Sequence, residues 1–205
     1  MNEQVTDTTA LREIIGEPAA IAATKEMPAL DRHCRHFISL SPFLCLSSMN
    51  ADGKADVSPR GDPPGFVKVL DDKTVLIPDR KGNGRLDTME NILEQPSVAV
   101  IFFVPGIEET LRLNGKASIT RDPALLEDMA VQGKTPPLGI KIEIDTVYFH
   151  CAKALKRSRL WEPETRIDRA DFPRYGQIVK DQRDPGGTAD DIEDYIQTNY
   201  KTEMY

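Results

Sequence analysis

Val98–Thr120 reads VAVIFFVPGIEETLRLNGKASIT, and this stretch decides the fold class. Val98–Val104 is a continuous apolar run rich in β-branched residues, which predicts a buried strand. Pro105-Gly106 breaks it. Thr110–Leu113 and Lys116–Thr120 predict further extended chain, joined around Asn114-Gly115 as a bent strand or a hairpin. In that reading Arg112 and Asn114 share one strand face, while Leu111 and Leu113 take the other.

Upstream, Leu86, Met89, Ile92 and Leu93 recur at helical spacing and stop at Gln95-Pro96. Thr74–Ile77 and Phe66–Leu70 predict a strand pair around the tight turn Asp71-Asp72-Lys73. Phe43–Met49 and Ala55–Pro59 predict another around Asn50-Ala51-Asp52-Gly53. Before them, a helix is expected from Thr8 or Thr9 through Leu11, Ile14 and Ile15, ending at Gly16 and Pro18. A second should follow Asp31, with Cys34, Phe37, Ile38 and Leu40 on its apolar side. Downstream, Asp122-Pro123 opens a helix through Leu125, Leu126 and Met129. Ile140–His150 alternates apolar with charged residues as a half-buried strand does. Short strands separated by turn signals, with two helices inserted, predict a mainly β barrel or sandwich. Beyond them, Asp184-Pro-Gly-Gly-Thr188 reads as a loop, and Tyr195, Ile196 and Tyr200 can mark an amphipathic helix. Seven acids and two bases lie in Asp181–Tyr205.

The whole chain has 205 residues, of which 40% are hydrophobic and 29% charged, enough for one packed domain with terminal additions. Its net charge of -7 disfavours a general nucleic-acid binder, which needs a broad basic face. No apolar run approaches the roughly 20 residues of a membrane span. The polar, acidic first residues do not resemble a signal peptide. Cys34, Cys45 and Cys151 are an odd number at wide spacing, which predicts a reducing, cytoplasmic setting.

Basic residues nevertheless concentrate. Ser58–Arg85 holds six bases (Arg60, Lys68, Lys73, Arg80, Lys81, Arg85) against four acids, and Ala152–Trp161 holds four bases and no acid. A small-molecule phosphate needs such islands, because guanidinium groups and backbone N–H donors must converge on one anion. Ser58-Pro-Arg-Gly-Asp62 places Arg60 at a strand end beside a glycine; the bland alternative is a turn with a solvated arginine. Pro78-Asp-Arg-Lys-Gly-Asn-Gly-Arg85 runs from a strand into a helix, where backbone donors attract phosphate. It is neither GxxxxGK[ST] nor GxGxxG, and a charged surface loop is its plain reading. Lys153, Arg157 and Trp161 stand four apart, so one helical face would carry all three; a surface helix whose Trp plugs the core is equally compatible. His33, Cys34 and His36 make no tight zinc site. Adjacent Glu108 and Glu109 diverge on a strand, and the serines lack a GxSxG setting.

Four segments, SPRGDPPGFVKVLDD, TVLIPDRKGNGRLDTMENILEQPSVAVIFFVPG, ETLRLNGKASI and VYFHCAKALKRSRLW, resemble in order and spacing the pyridoxamine 5'-phosphate oxidase-like family of FMN-binding split barrels. More narrowly, they are similar to a bacterial subgroup assigned to FMN-dependent enzymes. The resemblance spans roughly Asp31 to Pro163. It implies a mainly β protein with flanking helices, a six-stranded antiparallel split β-barrel. Residues 43–163 would form the FMN-binding barrel, 1–42 a helical segment packed on it, and 164–205 a C-terminal extension with a helix. It further implies a homodimer with FMN at the subunit interface, and an FMN-dependent oxidoreductase acting on an unidentified small molecule. A non-catalytic flavin-binding protein, or a split barrel using deazaflavin or haem, is the alternative. Residue by residue, it implies that Arg60 opens the first FMN-binding strand. Pro78, Asp79 and Arg80 would end the next, near the ring edge. Asn83 and Arg85 would hold the phosphate, and Arg112 would supply a polar group from the barrel. Lys153, Arg157, Ser158 and Trp161 would close the site, often on the partner subunit. Two typical features differ: Arg60 is followed by Gly-Asp-Pro-Pro-Gly rather than an Arg-x-Val-Leu-Leu-Lys strand, and the usual C-terminal Trp with two later arginines is not reproduced.

Overall fold

Alternating apolar residues assemble seven strands into one antiparallel sheet in the computed structural model, which describes residues 4–82 and 84–205. The strands are β1 (Phe43–Met49), β2 (Ala55–Gly61), β3 (Lys68–Val69), β4 (Thr74–Asp79), β5 (Ser97–Phe103), β6 (Thr110–Thr120) and β7 (Leu138–His150). Their order is β2-β1-β5-β6-β7-β4-β3. The helices are α1 (Thr8–Ile15), α2 (Ala20–Ala23), α3 (Arg32–Leu40), α4 (Asp87–Glu94), α5 (Pro123–Leu126), α6 (Lys153–Ser158), α7 (Tyr175–Arg183) and α8 (Ala189–Thr202).

Mainly β architecture with flanking helices is as expected, but the sheet has seven strands rather than six and is not closed by backbone pairing. The seventh is β3, a two-residue remnant of the expected Phe66–Leu70 strand, at one edge. At the other edge lies β2, where Pro59 lacks the N–H that an interior strand needs. The sheet curls enough that β2 and β4, first and sixth in order, touch through side chains. Arg60 Nη1 donates to Asp79 Oδ1 at 2.7 Å. Ion pairs therefore span the seam where backbone hydrogen bonds are missing.

Inside the curl, β5 buries Val98, Val100 and Phe102 and leaves Ala99, Ile101 and Phe103 half-buried, so even an unbroken apolar run alternates. Leu44, Leu111, Ile140 and Ile142 are fully buried against it. Each such side chain contributes ~1.5–3 kcal/mol relative to exposure. The choice at Asn114-Gly115 resolves as one bent strand. Asn114 pairs with Thr146 but Gly115 with Ile144, leaving Asp145 as the bulged residue. A Cβ on Gly115 would stand 2.1 Å from the Glu143 carbonyl oxygen, so the close approach demands glycine.

Asp31 caps α3, accepting from the N–H groups of His33 (2.9 Å) and Cys34 (2.8 Å), and Cys34, Phe37 and Ile38 enter the core. Leu40, expected on that face, is exposed. Asp7, not Thr8 or Thr9, caps α1, which contributes no buried residue. The helix expected after Asp122 is a single turn, α5, followed by a 3-10 turn at Glu127–Met129. Helix α7 has no counterpart among the sequence expectations. It packs on α8 through Gly176, where a Cβ would lie 2.5 Å from the Ala189 carbonyl oxygen. Tyr195 and Tyr200 of α8 are exposed. No helix among the described residues is long and apolar enough to cross a membrane.

Candidate functional site: a cleft at the barrel seam

The seam opens into a cleft of about 840 Å³ between β2, the end of β4, the segment leading into α4, and the 134–137 loop. That volume is in the range of small-molecule sites. Its apolar wall includes Pro59, Phe66, Pro78 and Met89. Its charged rim carries five bases (Arg60, Arg80, Lys81, Arg85, Lys134) and three acids (Asp56, Asp79, Asp87). Of the residues singled out in the sequence, Arg60, Pro78, Asp79, Arg80 and Arg85 all line this one cavity. Asn83 lies outside the described residues.

Carboxylates already engage most of these cations. Arg60 and Asp79 pair at 2.7 Å with both side chains 19% exposed. Arg80 Nε donates to Asp62 Oδ2 at 2.5 Å, and the Asp62 side chain is 1% exposed. Lys81 pairs with Glu203 at 3.0 Å. Arg85 makes two hydrogen bonds to Asp87, which hold that carboxyl below the usual range. One donor stands out: Arg60 Nε is buried and has no hydrogen-bond partner. An orphaned guanidinium donor costs stability unless something accepts from it. Nearby, Leu86 precedes α4 in a left-handed conformation (φ 60°) with no side-chain cap, and Leu86, Asp87, Thr88 and Met89 line the cleft.

The chain's own tail reaches this cleft, a contact no local signal announced. Tyr205 Oη donates to Asp62 Oδ1 at 2.8 Å, and its ring centroid lies 5.7 Å from the Arg80 guanidinium carbon. Lys134 Nζ donates to the Tyr205 main-chain oxygen at 2.7 Å. The bond to Asp62, followed by burial, raises the Tyr205 phenol pKa. Asp62 itself sits in the Ser58–Asp62 motif, but only the fold shows that it anchors Arg80.

The remaining sequence-chosen residues are elsewhere in the chain. Arg112 lies on β6 with its guanidinium carbon 5.2 Å from the Tyr148 ring centroid. Helix α6 ends where Arg159 turns left-handed (φ 53°), so Trp161 does not share a helical face with Lys153 and Arg157. Instead Trp161 Nε1 donates to the Ile107 carbonyl at 2.9 Å, and Lys156 pairs with Glu108 at 3.0 Å. These two contacts pin the 153–161 segment to the β5–β6 loop. Ser158 Oγ donates locally to the Leu155 carbonyl. Lys153, Arg157 and Ser158 are exposed, and none of them lines the cleft.

A family model described as pyridoxamine 5'-phosphate oxidase matches residues 30–151, more than half of the chain. Comparison with curated proteins returns no match. Among solved structures, a variant of HupZ of Group A Streptococcus is 15% identical with a TM-score of 0.49, covering 58% of this chain and 98% of that one. General stress protein 26 of Bacillus anthracis is 19% identical with a TM-score of 0.42, covering 57% and 93%. An FMN-binding protein of Syntrophomonas wolfei is 13% identical with a TM-score of 0.45, covering 57% and 83%.

Proposed function

Because the chain belongs to the pyridoxamine 5'-phosphate oxidase family, we propose that it is an FMN-dependent oxidoreductase of that class, acting on a small molecule, with the flavin seated in the seam cleft. The observation that carries this reading is the orphaned, buried Arg60 Nε, on a cavity wall shared with Arg80 and Arg85. A phosphate monoester answers each feature of that wall. It accepts from Arg60 Nε and meets the start of α4, which has no side-chain cap. Pro59, Phe66, Pro78 and Met89 offer the flat, apolar part of the molecule a surface on which to pack.

FMN, when bound, supplies the hydride or electron transfer itself. The chain's residues bind and orient. The Arg60–Asp79 pair holds the two strands at a fixed separation, and Arg80, tied to Asp62, fixes the loop above them. Chemistry of this kind needs no Ser or Cys nucleophile. In this proposal residues 43–163 form the cofactor-binding unit, and the protein acts as a homodimer in a reducing, cytoplasmic setting. Lys153, Arg157, Ser158 and Trp161, remote from the cleft of their own protomer, then serve the partner's site.

The test is the absorbance and mass spectrum of the molecule that co-purifies. Flavin bands with the mass of FMN are expected, and an Arg60→Ala/Arg85→Ala variant should lose them. Full flavin occupancy in that variant would remove the phosphate assignment. A Soret band or a deazaflavin mass would replace the cofactor assignment altogether. Reduction by NAD(P)H with substrate-dependent reoxidation separates an enzyme from a flavin store.

A further inference from the structure

A second cationic group, on β6 and β7, differs from the first in having no acids. In the β6–β7 register Arg112 pairs with Tyr148, and His150 follows two residues along β7, so all three share a sheet face. On the same face, Asn114 Nδ2 donates to Thr146 Oγ1 at 3.0 Å. Leu111, Leu113 and Val147 take the other face, into the core. Lys25 is brought in from the N-terminal segment, because Met27 and Val147 exchange backbone hydrogen bonds of 3.0 and 2.9 Å.

The result is two cations on one ring. Lys25 Nζ lies 4.5 Å and the Arg112 guanidinium carbon 5.2 Å from the Tyr148 centroid. The Tyr148 ring is buried, and its π cloud helps to hold both charges. Neither cation makes a salt bridge among the described residues, unlike Arg60, Arg80, Lys81 and Arg85 of the cleft. Their sequence neighbours Glu26 and Glu109 are exposed and pair with neither. Beside them, His150 Nδ1 is buried and without a hydrogen-bond partner. Burial, then Lys25, then Arg112, lower the His150 pKa, and no carboxylate counters them. Two like charges and an orphaned ring nitrogen gathered on one face are an arrangement that an anion completes.

We propose that Lys25, Arg112 and His150, grouped around Tyr148, form a second binding site for a phosphate group. Phosphate monoesters carry ≈ −1.5 to −2 charges at neutral pH, which matches two unpaired cations with His150 neutral. Arg112 offers a planar fork and Lys25 a point charge, so a tetrahedral anion takes donors from both. The site does not depend on flavin in the seam cleft. Its ligand is a free phosphate or the phosphate of a small molecule.

Inorganic phosphate added to the full-length protein, at constant ionic strength against chloride, tests this. The C2–H resonance of His150, assigned against His33 and His36 with a His150→Gln variant, reports on the site. Saturable binding should raise the His150 pKa by about one unit, the effect of an opposite charge within hydrogen-bonding reach. Arg112→Gln or Lys25→Gln should each weaken the phosphate response at least tenfold; Lys25 lies outside the sheet, so its variant keeps the fold if Arg112→Gln does not. Arg60→Ala should leave the response intact. No saturable shift, or a shift that survives loss of Lys25, overturns the proposal. A response abolished by Arg60→Ala also overturns it, because phosphate would then be acting from the cleft. Equal responses to phosphate and to a small phosphomonoester identify the phosphate group itself as the recognised part; a response to chloride alone refutes it.

Discussion

Arg80→Met offers a severe test of the seam. Asp62 is almost wholly buried, with its side chain 1% exposed, and has two partners: Arg80 Nε at 2.5 Å and Tyr205 Oη at 2.8 Å. Removing the guanidinium leaves a carboxylate out of water with one neutral donor. Breaking a buried pair from one side costs about 3–5 kcal/mol. Arg80 is 16% exposed, so some water can enter, and about 3 kcal/mol is the appropriate figure. For a chain of this length that lowers Tm by roughly 6–12 °C. The sharper expectation concerns the double variant Arg80→Met/Asp62→Asn. The neutral amide that replaces the carboxylate can still accept from Tyr205 and is cheaper to bury, so the double variant should be more stable than Arg80→Met alone, by about 2 kcal/mol. Urea unfolding followed by circular dichroism at pH 7 measures both. If the second substitution lowers stability further, Asp62 is not a buried charge held by Arg80, and the account of the seam fails.

Three further outcomes follow from local geometry. Gly115→Ala puts a Cβ 2.1 Å from the Glu143 backbone oxygen, so the urea midpoint should fall by an amount at or above the usual ~1–3 kcal/mol of overpacking; a loss under about 0.5 kcal/mol on that scale would mean that the bulge relaxes freely. Asp31→Ala removes the α3 cap and should cost about 1 kcal/mol at pH 7. The Cys34 N–H bond holds the Asp31 carboxyl below its ordinary value of 3.8. The folded value is therefore the lower one, and this stabilisation is full above 3.8 and is lost as pH falls through the folded value. The gap between wild type and variant should accordingly shrink in acid, and a gap constant with pH argues against a charged cap. In thiol labelling of the native protein, exposed Cys151 should react first. Cys34, fully buried with burial pushing its pKa up to about 11, should react only on unfolding. Rapid native labelling of Cys34 would contradict its place in the core.

Elements governed by local chemistry were readable in the sequence. Ile140, Ile142 and Ile144 alternate with charged residues, and all three point into the core of β7. Asp31 precedes an apolar stripe and caps α3. Where tertiary contact decides, the sequence was a poor guide. Phe66–Leu70 has strand composition, yet only Lys68 and Val69 join the ladder with β4, at one edge of the sheet. Helix α7 carries a weak local signal because its second residue, Gly176, is a poor helix former. That glycine is required only by the backbone of α8 passing over it. The Lys153–Trp161 helical face failed on one backbone torsion at Arg159, after which Trp161 answers to Ile107 in another loop.

The candidate site shows the same division, with charge in place of shape. The sequence concentrates bases in Ser58–Arg85, and folding does bring Arg60, Arg80 and Arg85 to one cleft. A count of bases along the chain, however, does not show which of them are neutralised. Asp62, Asp79, Asp87 and Glu203 each engage a rim cation, and Glu203 arrives from more than a hundred residues away. The basic run is thus more nearly balanced than its composition implies, and its surviving demand for an acceptor is concentrated at one buried atom, Arg60 Nε. The reverse holds at Lys25, Arg112 and His150. They are spread over 125 positions and make no motif, so no window of sequence shows them as a group. The β6–β7 register and the Met27–Val147 bridge unite them with no acid between them. Anion affinity follows the unpaired charge left after folding, and in this chain part of that remainder lies where the sequence shows no basic cluster.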